Sequence, residues 1–275
     1  MATGKLYIVA TPIGNLKDIT LRALETLREV DFIAAEDTRH TIKLLNHYEI
    51  KKKTVSFHEY SDEKRLNEVL DMLAEGKSCA LCSDAGTPVI SDPGFILIKR
   101  CAQLGIEMES IPGPCAAISA VALSGIDCRR FLFAGFLPSK QAARQSELAS
   151  LRGVGVPIVL YESPARVVRT LEDICAVFGD DTPVCVAREL TKLYEEVVRL
   201  PARQVLQLFA DRSSIKGEFV LVVGAVQKEA ATDMEIIAAL KDCVARGMAK
   251  KEAVTTVTAM LSCPKNKVYK LSLTI

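Results

Sequence analysis

Short apolar runs alternate with stretches of helical period along most of this chain. Residues 5–10, KLYIVA, are an apolar, partly β-branched run of strand length, broken by TPIGNLKD. Thr20 is then placed to cap a helix whose apolar positions are Leu21, Leu24 and Leu27. DFIAAED returns to strand, TRHTIKLLNHY reads as a short helix and TVSFHEY as another strand. Asp62 stands where it would cap a helix with Leu66, Val69, Leu70 and Leu73 on one face, closed by Gly76. SCALC is the next strand and runs into a loop, CSDAGTPVISDPG (82–94). FILIKRCAQLG reads as a helix, IEMESI as a strand, and Pro114 as the first turn of the helix PCAAISAVALSG.

The alternation resumes after GIDCRR (125–130), an expected domain boundary. FLFAGFLP and VPIVLYES are strands around a polar helix over 140–151, and Pro164 opens the helix PARVVRTLEDICAVFG. PVCVARELT, EEVVRL and GEFVLVVGAV are further strands, with a helix started by Pro201 before the last. Strand–helix alternation predicts α/β domains with largely parallel sheets, one over 1–124 and a second over 125–226. QKEAATD reads as a linker, and 233–275 as a separate C-terminal extension of three helices with a helix-turn-helix-like outline.

The composition is that of a globular chain of 275 residues, with 35 Lys and Arg against 34 Asp and Glu. A nucleic-acid partner therefore needs a local basic patch, and the extension holds one in Lys250, Lys251, Lys265, Lys267 and Lys270. Composition alone equally describes a helical cap with a solvated lysine face. No apolar run has the length of a membrane span, and the N-terminus reads as strand and loop rather than a leader. Nine cysteines without framework spacing read as reduced thiols of a cytoplasmic protein.

Neither G-x-G-x-x-G after the first strand nor a P-loop signature occurs. The 82–94 loop has Asp84 and Asp92 and no basic residue before Lys99, which disfavours a phosphate cradle. Three histidines without ligand spacing disfavour a metal, and Cys79 and Cys82 lack a second pair, so they read as core thiols. Cys115 sits at a helix N-terminus with no base to activate it. What remains is a ligand tolerant of carboxylates and of close backbone approach, for which Gly86 and Gly94 leave room. The loops at 11–15, 111–116, 161–166 and 187–191 also follow strands, so five loops are expected at one crevice. AEDTRHT (35–41) groups Glu36, Asp37, Arg39 and His40 as a candidate working site; Asp37 or Thr38 is also a plain helix cap.

TPIGNLKDIT, AEDTR, SDAGTPVISDPG, IPGPCA and KGEFVLVV, in that order, resemble the tetrapyrrole methylase superfamily, in its branch that methylates small-subunit ribosomal RNA. The resemblance spans about residues 5–226, and the basic tail is similar to that branch's helix-turn-helix extension. It implies two α/β domains with S-adenosylmethionine between them, a homodimer, no metal, and methylation of a cytidine ribose 2′-hydroxyl in the decoding region of 16S rRNA in 30S particles. By motif position it implies cofactor contact by Pro12, Asp84, Ala85, Gly86, Ile90, Cys115, Ala116, Tyr161, Ala187 and Gly217. Glu36, Asp37, Arg39 and Arg188 fall on the substrate side, with Asp37 expected to accept a proton and Arg39 to hold a phosphate. Asp84 is expected to face the cofactor and Asp92 to cap the following helix. The rivals are a precorrin-type methyltransferase of the same fold and a non-catalytic ribosome-binding module.

Overall fold

The computed structural model describes residues 4–58, 63–90, 94–226, 232–261 and 263–275. They fall into two compact units, 1–225 and 226–275. The first opens with β1 (Lys5–Val9), α1 (Leu21–Glu29), β2 (Phe32–Ala35), α2 (Thr38–His47) and β3 (Lys53–Ser56). It continues through α3 (Glu63–Ala74), β4 (Cys79–Cys82), α4 (Phe95–Leu104), β5 (Glu107–Ile111) and α5 (Ala116–Ser124). Their five strands form one wholly parallel sheet in the order β3-β2-β4-β1-β5. Apolar clusters cover both of its faces, one around Leu6, Phe32 and Leu73 and the other around Val9, Leu27 and Ile33.

Local chemistry sets the helix ends. The Thr20 hydroxyl accepts the Ala23 N–H at the start of α1, but Leu21 is 79% exposed, and the buried face is Ala23, Thr26 and Leu27. The expected cap Asp62 lies outside the described residues. Cys115, not Pro114, is the N-cap of α5, so Pro114 belongs to the preceding loop. Cys79 and Cys82 sit three apart on β4, where side chains alternate, and they enter the clusters on opposite faces of the sheet. Burial pushes the Cys82 thiol up to about 12 and raises Cys79 as well. Both are core thiols.

A second sheet follows from β6 (Leu132–Phe136), α6 (Gln141–Val154), β7 (Ile158–Glu162), α7 (Val167–Phe178), β8 (Pro183–Arg188), β9 (Glu196–Pro201), α8 (Ala202–Ala210) and β10 (Phe219–Val223). Its order is β6-β7-β10-β8-β9. Only β6 and β7 pair in parallel; β10 runs against both β7 and β8, and β8 against β9. The expectation of a largely parallel second sheet is thus corrected to a mixed one. The last strand inserts centrally, so its N-terminal end lies beside the C-terminal ends of β7 and β8, with Phe219 opposite Glu162 and Arg188. α7 begins at Val167, three residues after Pro164, because 163–166 make their own turn. α5 ties the two sheets together: it follows β5 of the first, and its Ala117 and Ala120 pack with Val159, Cys185 and Val222 of the second.

The second unit holds α9 (Asp233–Ala245), α10 (Lys250–Leu261) and α11 (Lys265–Ser272). They enclose their own core around Ile236, Leu240, Val254, Val257 and Val268. Thr232 and Glu235 close a reciprocal capping box at the start of α9.

Candidate active site

Three loops of the first sheet are stitched together at its C-terminal edge. The Thr11 N–H donates to the Gly86 carbonyl at 2.8 Å and the Gly86 N–H to the Thr11 carbonyl at 3.0 Å. The Thr11 hydroxyl donates to the Ser83 carbonyl at 3.2 Å, and the Thr87 hydroxyl to the Pro114 carbonyl at 3.1 Å. Gly86 has φ +82°, and an added Cβ would stand 3.4 Å from Ile13 Cγ2. The positive φ favours glycine there, whereas the added Cβ alone would make an ordinary contact. Residues 91–93 lie outside the described residues, and with them the expected capping role of Asp92.

The ends of β2 and β4 form an acidic corner. The Asp84 N–H donates to Glu36 Oε2 at 3.1 Å, while the Asp37 N–H donates to Asp84 Oδ1 at 2.9 Å. His40 Nδ1 lies 3.5 Å from Asp84 Oδ2. Burial, and then the charges of Asp84 and Asp37, push the Glu36 carboxyl above the usual carboxylate range, against the Asp84 N–H bond and His40. Asp37 is shifted the other way. It caps α2 by accepting the Arg39 N–H at 2.8 Å, and its Oδ2 accepts Arg39 Nη2 at 2.6 Å. The Arg39 guanidinium therefore holds Asp37 well below the usual range.

The second sheet supplies the facing side. Tyr161 meets the Phe133 and Phe136 rings edge-on, at centroid distances of 5.0 and 5.7 Å. Glu162 is 3% exposed, and its oxygens accept the Ser163 N–H at 2.8 Å and the Thr170 hydroxyl at 2.6 Å. Arg166 lies 3.4 Å from Glu162 and donates to the Leu137 carbonyl at 2.5 Å, fixing the loop after β6. Glu189 accepts Lys192 Nζ at 2.8 Å and the Glu218 N–H at 2.9 Å. The Asn15 N–H donates to Thr191 Oγ1 at 3.0 Å and joins the loop after β1 to the loop after β8.

A cavity of about 350 Å³ lies where these loops meet. All five loops expected at one crevice contribute to it, through Ile13, Asp84 to Thr87 and Ile90, Cys115, Tyr161 to Pro164, and Ala187. Of the residues carried over by motif, Asp84, Ala85, Gly86, Ile90, Cys115, Ala116, Tyr161 and Ala187 line it, as does Glu36. Pro12 and Gly217 stand next to lining residues but not among them. At Pro12 the chain turns Ile13 inward instead. At Gly217, φ is +99° and a Cβ would strike Glu189 Cγ at 2.4 Å, so that glycine serves the packing behind the wall. Asp37 and Arg39 pair with each other outside the wall, and Arg188 is committed to the Lys216 carbonyl at 2.6 Å and to Glu196 at 3.3 Å.

Ile13, Phe136, Glu162, Leu190, Glu218, Phe219 and Val220 also line the cavity and were not singled out from the sequence. Phe219 and Val220 arrive through the reversed direction of β10, which periodicity does not encode. Glu36, Asp84, Glu162 and Glu218 line it, whereas no Lys or Arg does among the described residues. No His, Cys, Asp or Glu cluster suited to a metal occurs among the described residues, and no helix among them is long and apolar enough to cross a membrane. In the second unit Lys251, Lys265 and Lys270 are exposed, Lys267 pairs with Asp233 at 2.9 Å, and Lys250 donates to the Ile275 carbonyl at 2.6 Å.

Comparison with known proteins gives a consistent result. The family model described as Tetrapyrrole (Corrin/Porphyrin) Methylases matches residues 5–206. Ribosomal RNA small subunit methyltransferase I of Haemophilus influenzae is 43% identical over 274 residues, covering 98% of this chain and 97% of that protein. The Thermotoga maritima protein of the same name is 50% identical over 220 residues, covering 80% of this chain and 98% of its own. Among solved structures, uroporphyrin-III C-methyl transferase from Thermus thermophilus complexed with S-adenyl homocysteine aligns with a TM-score of 0.57 at 16% identity, covering 81% of this chain and 98% of that one.

Proposed function

The chain belongs to the tetrapyrrole (corrin/porphyrin) methylases, and on that premise we propose that it is an S-adenosylmethionine-dependent methyltransferase of small-subunit ribosomal RNA. The observation that carries the reading is the cavity itself, an apolar cleft with carboxylates and without fixed cations among its described walls. Such a cleft suits a ligand with a flat base, a ribose and two positive centres, and repels a polyphosphate. Bound there, S-adenosylmethionine supplies an electrophilic methyl group on a sulfonium.

The residues of the chain hold, orient and desolvate. Asp84 favours positive charge at one end, and Gly86 lets the backbone come close. Ala85, Ile90, Cys115, Ala116, Tyr161 and Ala187 provide apolar contact, and Pro12 and Gly217 precede the lining residues Ile13 and Glu218 in the chain. Methyl transfer is an in-line displacement, so alignment and exclusion of water carry most of the rate.

The target is read from the names of the near-full-length relatives. The finer reading is the 2′-hydroxyl of a cytidine in the decoding region, presented by the assembled 30S particle in the cytoplasm. The basic face of α10 and α11, with Lys251, Lys265 and Lys270, is the proposed RNA contact. Exposed Leu193 and Tyr194, 87% and 70% accessible on the loop after β8, support pairing of two protomers. The deciding experiment offers tritiated S-adenosylmethionine with 30S subunits, naked 16S rRNA and a porphyrinoid, then maps the label. Label on a ribose of 30S rRNA is expected. Label on the porphyrinoid alone, or on no acceptor, overturns the proposal.

A further inference from the structure

We propose that Glu36 is the proton acceptor for the hydroxyl that receives the methyl group, an assignment that rests on the methyltransferase reading above. Three carboxylates meet at the acidic corner, and their hydrogen bonds separate them. Asp37 has both oxygens on Arg39 and stands outside the cavity wall. Asp84 lines the cavity, but Oδ1 is taken by the Asp37 N–H and Oδ2 lies beside His40. Glu36 lines the cavity and spends only Oε2, on the Asp84 N–H at 3.1 Å. Its Oε1 takes no hydrogen bond among the described residues. Of the other two lining carboxylates, Glu162 has both oxygens taken by Ser163 and Thr170, and Glu218 sits on a 79% exposed side chain whose charge is paired with Lys192 at 2.9 Å.

The chemistry fits the position. A ribose hydroxyl is a weak nucleophile and gains from losing its proton as it attacks. As its oxygen bonds to the methyl carbon, the carbon–sulfur electron pair stays on sulfur and the hydroxyl proton passes to Glu36 Oε1. The products are a methyl ether, a neutral thioether and a carboxylic acid that returns its proton to water. The groups facing Glu36 are Asp37 and His40 at the start of α2 and Asp84 after β4. Burial, and then the charges of Asp84 and Asp37, make Glu36 more basic than an exposed glutamate, while the Asp84 N–H and His40 act the other way. The bond from the Asp84 N–H orients the carboxylate, and a glutamine can accept it equally well.

The test uses the full chain with 30S subunits under single turnover. Glu36→Gln should slow methyl transfer at least 100-fold. It should also abolish the fall in rate that wild type shows as the pH drops through the Glu36 pKa. Calorimetry with S-adenosylhomocysteine should find its affinity for Glu36→Gln within twofold of wild type. Glu36→Asp should be slowed less and keep the pH limb, and it decides the matter if the glutamine variant does not melt cooperatively. A wild-type rate or an unchanged pH limb in Glu36→Gln overturns the assignment and leaves the methyltransferase reading intact. A tenfold loss of S-adenosylhomocysteine affinity overturns it too, by making Glu36 a cofactor anchor. Absence of label from 30S with wild-type protein refutes the functional reading, and the Glu36 assignment falls with it.

Discussion

Thr11 and Gly86 exchange both of their backbone hydrogen bonds across one isolated antiparallel bridge, although the strands that deliver them lie side by side in a parallel sheet. The bridge forces the loop after β4 back over the loop after β1, and only the positive φ of Gly86 permits that reversal. Gly86→Ala should cost about 1–2 kcal/mol in left-handed strain. The new methyl would also touch Ile13 Cγ2 of the cavity wall at 3.4 Å, so any shift that relieves the strain is felt in the cavity. A lower melting temperature and a roughly tenfold weaker S-adenosylmethionine affinity by calorimetry are expected, tenfold being about 1.4 kcal/mol.

The acidic corner makes a prediction about stability as well as rate. A carboxyl group whose pKa rises on folding holds its proton more tightly in the folded state. Its contribution to stability is full below the unfolded pKa and is lost as the pH rises through the folded one. Glu36 is such a group, raised first by burial. Glu36→Gln removes the ionisation, so urea denaturation should find the variant more stable than wild type at pH 7.5. The advantage should vanish in mild acid. A variant less stable than wild type at pH 7.5 would contradict the raised pKa.

Behind the second sheet, Arg144 and Asp173 form an ion pair between α6 and α7, Nε to Oδ2 at 2.6 Å, with side chains 3% and 1% exposed. Gln145 donates to the other Asp173 oxygen at 2.7 Å. Asp173→Ala strands a buried guanidinium and should cost about 3–5 kcal/mol, whereas an apolar pair at both positions should recover most of it. Chemical denaturation of the single and double variants checks both statements.

For the helical tail, Lys251→Glu, Lys265→Glu and Lys270→Glu together should weaken 30S binding. They should also flatten its salt dependence by about one unit of log–log slope per lysine that contacts a phosphate. Filter binding between 50 and 200 mM salt measures this. S-adenosylmethionine affinity should not change.

Much of the fold is legible in the sequence because its signals are local. Thr20 caps α1 as its spacing predicts, and Gly105 ends α4 in the left-handed conformation. Proline was less informative. Its fixed φ suits the residue before a helix as well as the first turn, so Pro114 and Pro164 placed the starts of α5 and α7 too early. Strand direction in the second sheet could not be read, because periodicity reports which side chains are buried and not which way a neighbouring strand runs. The five loops of the cavity were recognisable from their glycines, prolines and carboxylates. Which side chain of each loop turns inward depends on one backbone rotation, and so Ile13 lines the cavity beside Pro12, and Glu218 beside Gly217.

The central place of β10 bears on how the molecule is made. It is the final strand of its sheet to leave the ribosome, yet it fills the slot between β7 and β8. Until residue 223 has emerged, those two strands each keep an unpaired edge in the nascent chain. The cavity lacks Phe219 and Val220 for the same interval. Cofactor binding must therefore wait until nearly the whole first unit has been synthesised. A fragment released before β10 should be both unable to bind and prone to strand-mediated association.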